Sequence, residues 1–170
     1  NETAFAYDAA GRRVSVIDAL GRITSLIYDA FGNRTAVTDA NDHTTRFEYD
    51  GLQRRVKTVF PDQTSISVAY DQNGNKTAET DQNGLVTRFE YDPNGNLTKV
   101  IDALGGETSY AYDEAGNKIY QTDPNGHVTS WTYDDLGNNL TRTLPLGMTE
   151  TFAYDAEGNR TSKIDFNGHE

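Results

Sequence analysis

The 170-residue chain sets 15 Lys and Arg against 26 Asp and Glu, a formal net charge of -11 with a sequence pI near 4.6, and it contains no Cys. That balance disfavours sequence-independent contact with nucleic acid or an anionic membrane, no apolar run is long enough for a membrane-spanning helix, and Cys catalysis and Cys-zinc sites are excluded. Phe, Leu, Ile and Val supply only 33 residues, a composition that alone would read as disorder and that argues against a thick filled core.

Periodicity overrules the disorder reading. Tyr-Asp recurs at Tyr7, Tyr28, Tyr49, Tyr70, Tyr91, Tyr112, Tyr133 and Tyr154, always 21 residues apart. Four residues after the Tyr stands Gly, at Gly11, Gly32, Gly74, Gly95, Gly116, Gly137 and Gly158, with Gln53 as the departure. A second punctuation follows at Asp18, Asp39, Asp81, Asp102, Asp123 and Asp165, with Gly three residues on at Gly21, Gly84, Gly105, Gly126 and Gly168. Each period therefore holds two turns. The runs between them, such as Thr24 to Tyr28 and Arg34 to Thr38, are rich in Thr, Val, Ile and aromatics and predict strands. No segment has competing helical periodicity. The expected fold is all-β: about eight 21-residue antiparallel β-hairpin repeats, some sixteen strands, forming a curved or spiralling sheet because long flat sheets are unusual.

Asp92-Pro93-Asn94-Gly95 and Asp123-Pro124-Asn125-Gly126 suit a type I turn in which Asp accepts locally, Pro presets φ and Gly takes the left-handed conformation. Gly51-Leu52-Gln53 and Leu144-Pro145-Leu146-Gly147 depart from the consensus and predict local differences at those turns while pairing continues on either side.

Strand side chains alternate faces, so an odd period reverses successive Tyr residues unless one correction occurs per repeat. A three-residue loop pairing Asp29 with Asn33 would set Tyr28 opposite Arg34, Leu26 opposite Ala36 and Thr24 opposite Thr38. An even loop or bulge at the second turn would then return Thr45, Phe47 and Tyr49 to the same face. That face would carry Tyr beside Arg34, Arg55, Lys76, Lys118 or Arg160, and Phe or Trp opposite small residues such as Ala36, Ala78 and Thr141, with cation-π contacts between rings and cations.

The unit Tyr-Asp-x-x-Gly-Asn-(Arg/Lys/Leu)-Thr, followed by Asp-x-x-Gly and an aromatic two before the next Tyr, resembles the Rhs or YD-repeat family over essentially the whole chain. The resemblance implies a single array over residues 1–170, a piece of a longer chain. In that family such repeats wind into a hollow shell around the C-terminal toxin of bacterial polymorphic toxins and in insecticidal toxin complexes, and related repeats occur in teneurins. It implies a non-catalytic wall around an effector of the same polypeptide, and a secreted or cell-surface location.

Candidate chemistry elsewhere is sparse. Each Asp-x-Asn-Gly turn offers two or three oxygens where calcium wants 6–8, so local capping explains the carboxylates and no metal ligands are assigned. His43, His127 and His169 share one phase of the repeat and stand too far apart to share a metal. No catalytic motif, P-loop or cofactor fingerprint is present, and the two Asp-Pro-Asn-Gly segments sit at ordinary turns. The alternative to a wall is a recognition surface for a cell-surface glycan or protein, for which Tyr110, Tyr120 and Trp131 are the candidate ligand-facing aromatics.

Overall fold

The computed structural model describes residues 2–170. Its strands are β1 (Ala4–Tyr7), β2 (Arg13–Ile17), β3 (Ile23–Tyr28), β4 (Arg34–Thr38), β5 (Thr44–Tyr49), β6 (Arg55–Val59), β7 (Ser65–Tyr70), β8 (Lys76–Thr80), β9 (Val86–Tyr91), β10 (Leu97–Ile101), β11 (Glu107–Tyr112), β12 (Lys118–Thr122), β13 (Val128–Tyr133), β14 (Asn139–Thr143), β15 (Thr149–Tyr154) and β16 (Arg160–Ile164). They form one sheet in sequence order, and no described residue is helical. The chain divides into two compact units, residues up to Asp71 with Ala78–Val86, and Gln72–Thr77 with Thr87–Glu170.

Both kinds of turn close in the same way. At the Tyr-Asp turn of Asp29, its N–H donates to the Asn33 carbonyl at 2.9 Å and Gly32 N–H donates back to the Asp29 carbonyl at 3.2 Å. At the second turn Asp39 N–H donates to the His43 carbonyl at 2.9 Å and Asp42 N–H to the Asp39 carbonyl at 3.2 Å. Each is a type I turn plus a left-handed residue, a three-residue loop. The Tyr-column glycines take φ between 75° and 90°, but the conformation survives without glycine. Gln53 holds φ 62°, Asp42 62° and Gln63 69°.

The two departures from consensus therefore keep the common backbone. Gln53 N–H donates to the Asp50 carbonyl at 3.0 Å, and Gly147 N–H to the Leu144 carbonyl at 2.8 Å. The local difference expected there is confined to side chains, because closure depends on main-chain bonds that Gln and Leu also supply. At the second site Leu144 has no carboxylate with which to cap the turn.

The face correction also lies elsewhere than expected. Tyr28 does oppose Arg34, but Ile27 opposes Ala36, Leu26 opposes Val37 and Ser25 opposes Thr38. Thr35 is the unpaired residue of a β-bulge immediately after the Tyr-Asp turn. The same shift occurs beside Tyr7, Tyr49, Tyr91, Tyr112, Tyr133 and Tyr154. The second turn carries no bulge, as in Val37 opposite Thr45 and Ala36 opposite Arg46. Within each unit the bulge thus returns successive Tyr residues to a common phase, and it shifts the central aromatic off the small-residue column. Phe47 faces Thr58, and Trp131 faces Arg142 in place of Thr141.

Burial is correspondingly shallow. Among the described residues only Leu26, Ala36, Thr58 and Glu150 are buried, and no large side chain is fully enclosed. Strands touch their sequence neighbours, so stabilisation comes from cross-strand pairs along the ladder.

Candidate functional site

Within the first unit, alternation and register place Phe5, Leu26 and Phe47 on the face shared with the Tyr column. Tyr28 Oη donates to the Arg13 carbonyl at 3.0 Å and Tyr49 Oη to the Arg34 carbonyl at 2.9 Å, each reaching back into the preceding repeat. Arg12 stacks 5.0 Å from the Tyr28 ring and donates through Nη1 to the Asp29 carbonyl. Arg54 lies 4.2 Å over Tyr70, while Arg34 and Arg55 approach Phe47 at 5.2 and 5.5 Å. Arg34 and Arg55, which oppose Tyr28 and Tyr49, therefore cover the central aromatic Phe47, whereas Arg12 and Arg54 cover the Tyr of the following repeat.

The second unit repeats this chemistry. Tyr112 Oη donates to the Leu97 carbonyl at 2.9 Å and Tyr133 Oη to the Lys118 carbonyl at 3.0 Å. Burial pushes both phenols above their ordinary range. Lys118 Nζ sits 4.3 Å from the Trp131 ring and 5.4 Å from Tyr110, a cation between two rings. Tyr110 opposes Gln121, which opposes Thr129, so Tyr110 and Trp131 share a face. Tyr120 does not. It pairs with Ala111 and Ser130, points to the opposite side and is 50% exposed. The three candidate aromatics are not one platform.

The turn carboxylates are spent on their own loops. In the Asp29 turn Oδ1 accepts from the N–H groups of Phe31 and Asn33 at 2.9 Å, and Oδ2 accepts from Asn33 Nδ2 at 3.0 Å. Asp92, Asp113, Asp134 and Asp155 engage Asn96, Asn117, Asn138 and Asn159 in the same way. The Asn side chain is the main cause holding these carboxyls below the usual range. His43, His127 and His169 each pair with the Asp four residues earlier, at 3.3, 3.0 and 3.5 Å.

A family model described as RHS Repeat matches residues 7–44, 28–65, 70–107, 91–119 and 138–170. The chain belongs to the RHS repeat family. Among solved structures, TcdB2-TccC3-Cdc42 aligns with TM-score 0.72 at 19% identity, over 95% of this chain and 11% of that one. TcdB2-TccC3 without its hypervariable C-terminal region aligns at 0.68 and 19%, over 99% and 12%. The Photorhabdus luminescens Tc holotoxin pore with a mutated TccC3 aligns at 0.63 and 14%, over 95% and 12%. The chain thus spans about a ninth of these neighbours' length and shares their fold. No curated protein sequence matches it.

One RHS repeat carries chemistry that motif reading missed. Glu150 is 5% exposed and opposes Arg142, itself opposite Trp131. Its carboxylate lies 2.9 Å from Lys163 Nζ and 3.4 Å from Arg142 Nη1. Arg142 also stacks 5.4 Å from Phe166, and its buried Nε has no hydrogen-bond partner. The same phase of other repeats holds Thr24, Thr45, Thr87, Thr108 and Thr129, with Ile66 once, and the Arg142 and Lys163 phase holds Val16, Val37 and Val100 beside Thr58, Glu79 and Gln121. Setting the repeats in register would have flagged the one acid in the first column and the two cations in the second.

Proposed function

We propose that this chain is one stretch of a non-catalytic wall that encloses an effector carried by the same longer polypeptide, within a secreted toxin complex, and that residues 1–170 act in it as a single array. The observation that carries this reading is how the repeat signature is used. Tyr hydroxyls bind main-chain carbonyls of the preceding repeat, and Arg and Lys cover ring faces. The recurrent side chains are consumed in joining repeats, as a wall requires, and the carboxylates in capping turns. The fold shared with TcdB2-TccC3 and the Tc holotoxin pore supports the same assignment.

The glycan-recognition alternative draws less support. Sugar stacking needs an open ring face, whereas Lys118 occupies the space between Tyr110 and Trp131, and Tyr120 looks the other way. Limited proteolysis of the longer polypeptide tests the wall: its effector region should resist cleavage while the array is folded and be cut once urea opens the array. Equal cleavage in both states would refute encapsulation. Glycan-array binding abolished by Trp131→Ala with stability unchanged would favour recognition.

A further inference from the structure

The column of central aromatics is interrupted within the first unit. The position two residues before the Tyr of each Tyr-Asp pair holds Phe5, Phe47, Phe89, Tyr110, Trp131 and Phe152, but Leu26 and Val68 in the remaining repeats. Leu26 closes its place in the sheet, at 7% exposure. Val68 is a smaller side chain, and beside it lies a cavity of about 290 Å³, bounded on the aromatic face by Arg55, Thr58, Ile66, Val68 and Tyr70. Register brings these side chains together. Thr58 opposes both Phe47 and Ile66, Arg55 opposes Tyr49, and Ile66, Val68 and Tyr70 share one face of β7.

Two departures in this repeat shape the cavity. Val68 stands in place of a ring, and Ile66 stands where Thr24, Thr45, Thr87, Thr108 and Thr129 stand in other repeats, so a wall that elsewhere carries a hydroxyl is apolar here. Ile66 is 36% exposed and Thr58 6%, which sets an apolar wall within reach of solvent beside a closed floor. The cation is in place as well. Lys118 shows what such a residue does between two repeats, with Tyr110 at 5.4 Å and Trp131 at 4.3 Å. Arg55 has Phe47 at 5.5 Å, but toward Val68 it borders the cavity.

We propose that the cavity at Val68 binds a small aromatic molecule of the phenol or indole class, its ring in the position that Phe47 fills one repeat earlier and its face toward Arg55. The volume admits one ring, since an apolar cavity of roughly 150 Å³ holds benzene in another protein. A guanidinium attracts the electron-rich face of a ring, so the site distinguishes an aromatic guest from a saturated one of the same shape. The site stands whether or not the array encloses an effector.

Titration of the 170-residue chain with p-cresol, followed by amide NMR shifts, should show saturable binding at Thr58, Ile66 and Val68 with a Kd on the order of 1 mM, the range open to a ligand of so few atoms. The saturated counterpart 4-methylcyclohexanol should bind about two- to fivefold more weakly, and Arg55→Gln should remove that difference. Val68→Phe supplies the chain's own ring and should abolish the shifts. Val68→Tyr, which copies Tyr110, repeats the test if Phe disturbs folding, and circular dichroism reports which variants fold. Absence of saturable shifts at those amides, equal affinity for p-cresol and 4-methylcyclohexanol, or undiminished p-cresol binding in a folded Val68→Phe or Val68→Tyr chain overturns the proposal.

Discussion

Replacing Arg142 and Lys163 together by Val, the residue that Val16 and Val37 place in that column, should destabilise the last hairpins more than replacing Glu150 by Thr. The double substitution strands a carboxylate that is 5% exposed. Breaking a buried pair from one side costs about 3–5 kcal/mol, because an uncompensated charge remains. Arg142 and Lys163 are 43% and 45% exposed, so solvent already screens part of the attraction and the expected loss falls to about 2–3 kcal/mol. Glu150→Thr instead leaves two cations able to reach water, and its cost should stay within about 1 kcal/mol. Lys163→Val should account for most of the double-variant loss: its contact is 2.9 Å against 3.4 Å, and Arg142→Val also removes an unsatisfied Nε. With a urea slope of about 1–3 kcal/mol/M, the double variant should lower the midpoint by about 0.7–3 M. Hydrogen exchange over Asn139–Ile164 localises the effect if the array melts in stages. The triple variant with Thr at 150 and Val at 142 and 163 gives the uncharged chemistry of the repeats that carry Val16, Val37 and Val100, and should recover most of the loss. Equal costs for Glu150→Thr and the double variant, or a triple variant no better than the double, would refute the argument.

Tyr133→Phe removes the bond to the Lys118 carbonyl and should cost about 0.5–1.5 kcal/mol, read as faster exchange in β12 and β13. Tyr7→Phe, at a position 60% exposed, should change urea unfolding little, and equal losses would remove the Tyr hydroxyls from the account. Gln53→Gly should raise stability by about 1 kcal/mol, since Gln53 holds φ 62° where a side chain is strained; a lowered midpoint would show that its side chain contributes. The capping carboxyls of Asp29, Asp92, Asp113, Asp134 and Asp155 titrate below their unfolded values. Their contribution is complete above the unfolded pKa and lost as pH falls through the folded values, so stability should decline from about pH 4 downward. Asn117→Ala and Asn138→Ala together should flatten that decline at low pH, and an unchanged acid profile would contradict the capping role.

The strands, both turn positions and the family were legible in the sequence because each rests on local chemistry repeated in phase: Tyr-Asp at every period, Gly or its substitutes at the left-handed position, Thr and aromatics between. The pairing of Tyr28 with Arg34 follows from the same loop length. Where the parity correction sits was not local information. An extra residue can be absorbed at either turn, and only main-chain pairing places it after the Tyr-Asp turn: at Thr35 in β4, which moves Leu26 onto Val37, and at Leu140 in β14, which moves Trp131 onto Arg142. That choice also decides which cation reaches which ring, and it puts Tyr120 on the face away from Tyr110 and Trp131. Glu150 shows the division most clearly. Its departure from Thr is visible in the sequence, but its two cations lie 8 residues before it and 13 after it, on the flanking strands. Only the sheet brings all three together, because strand pairing converts distance along the chain into neighbours across it.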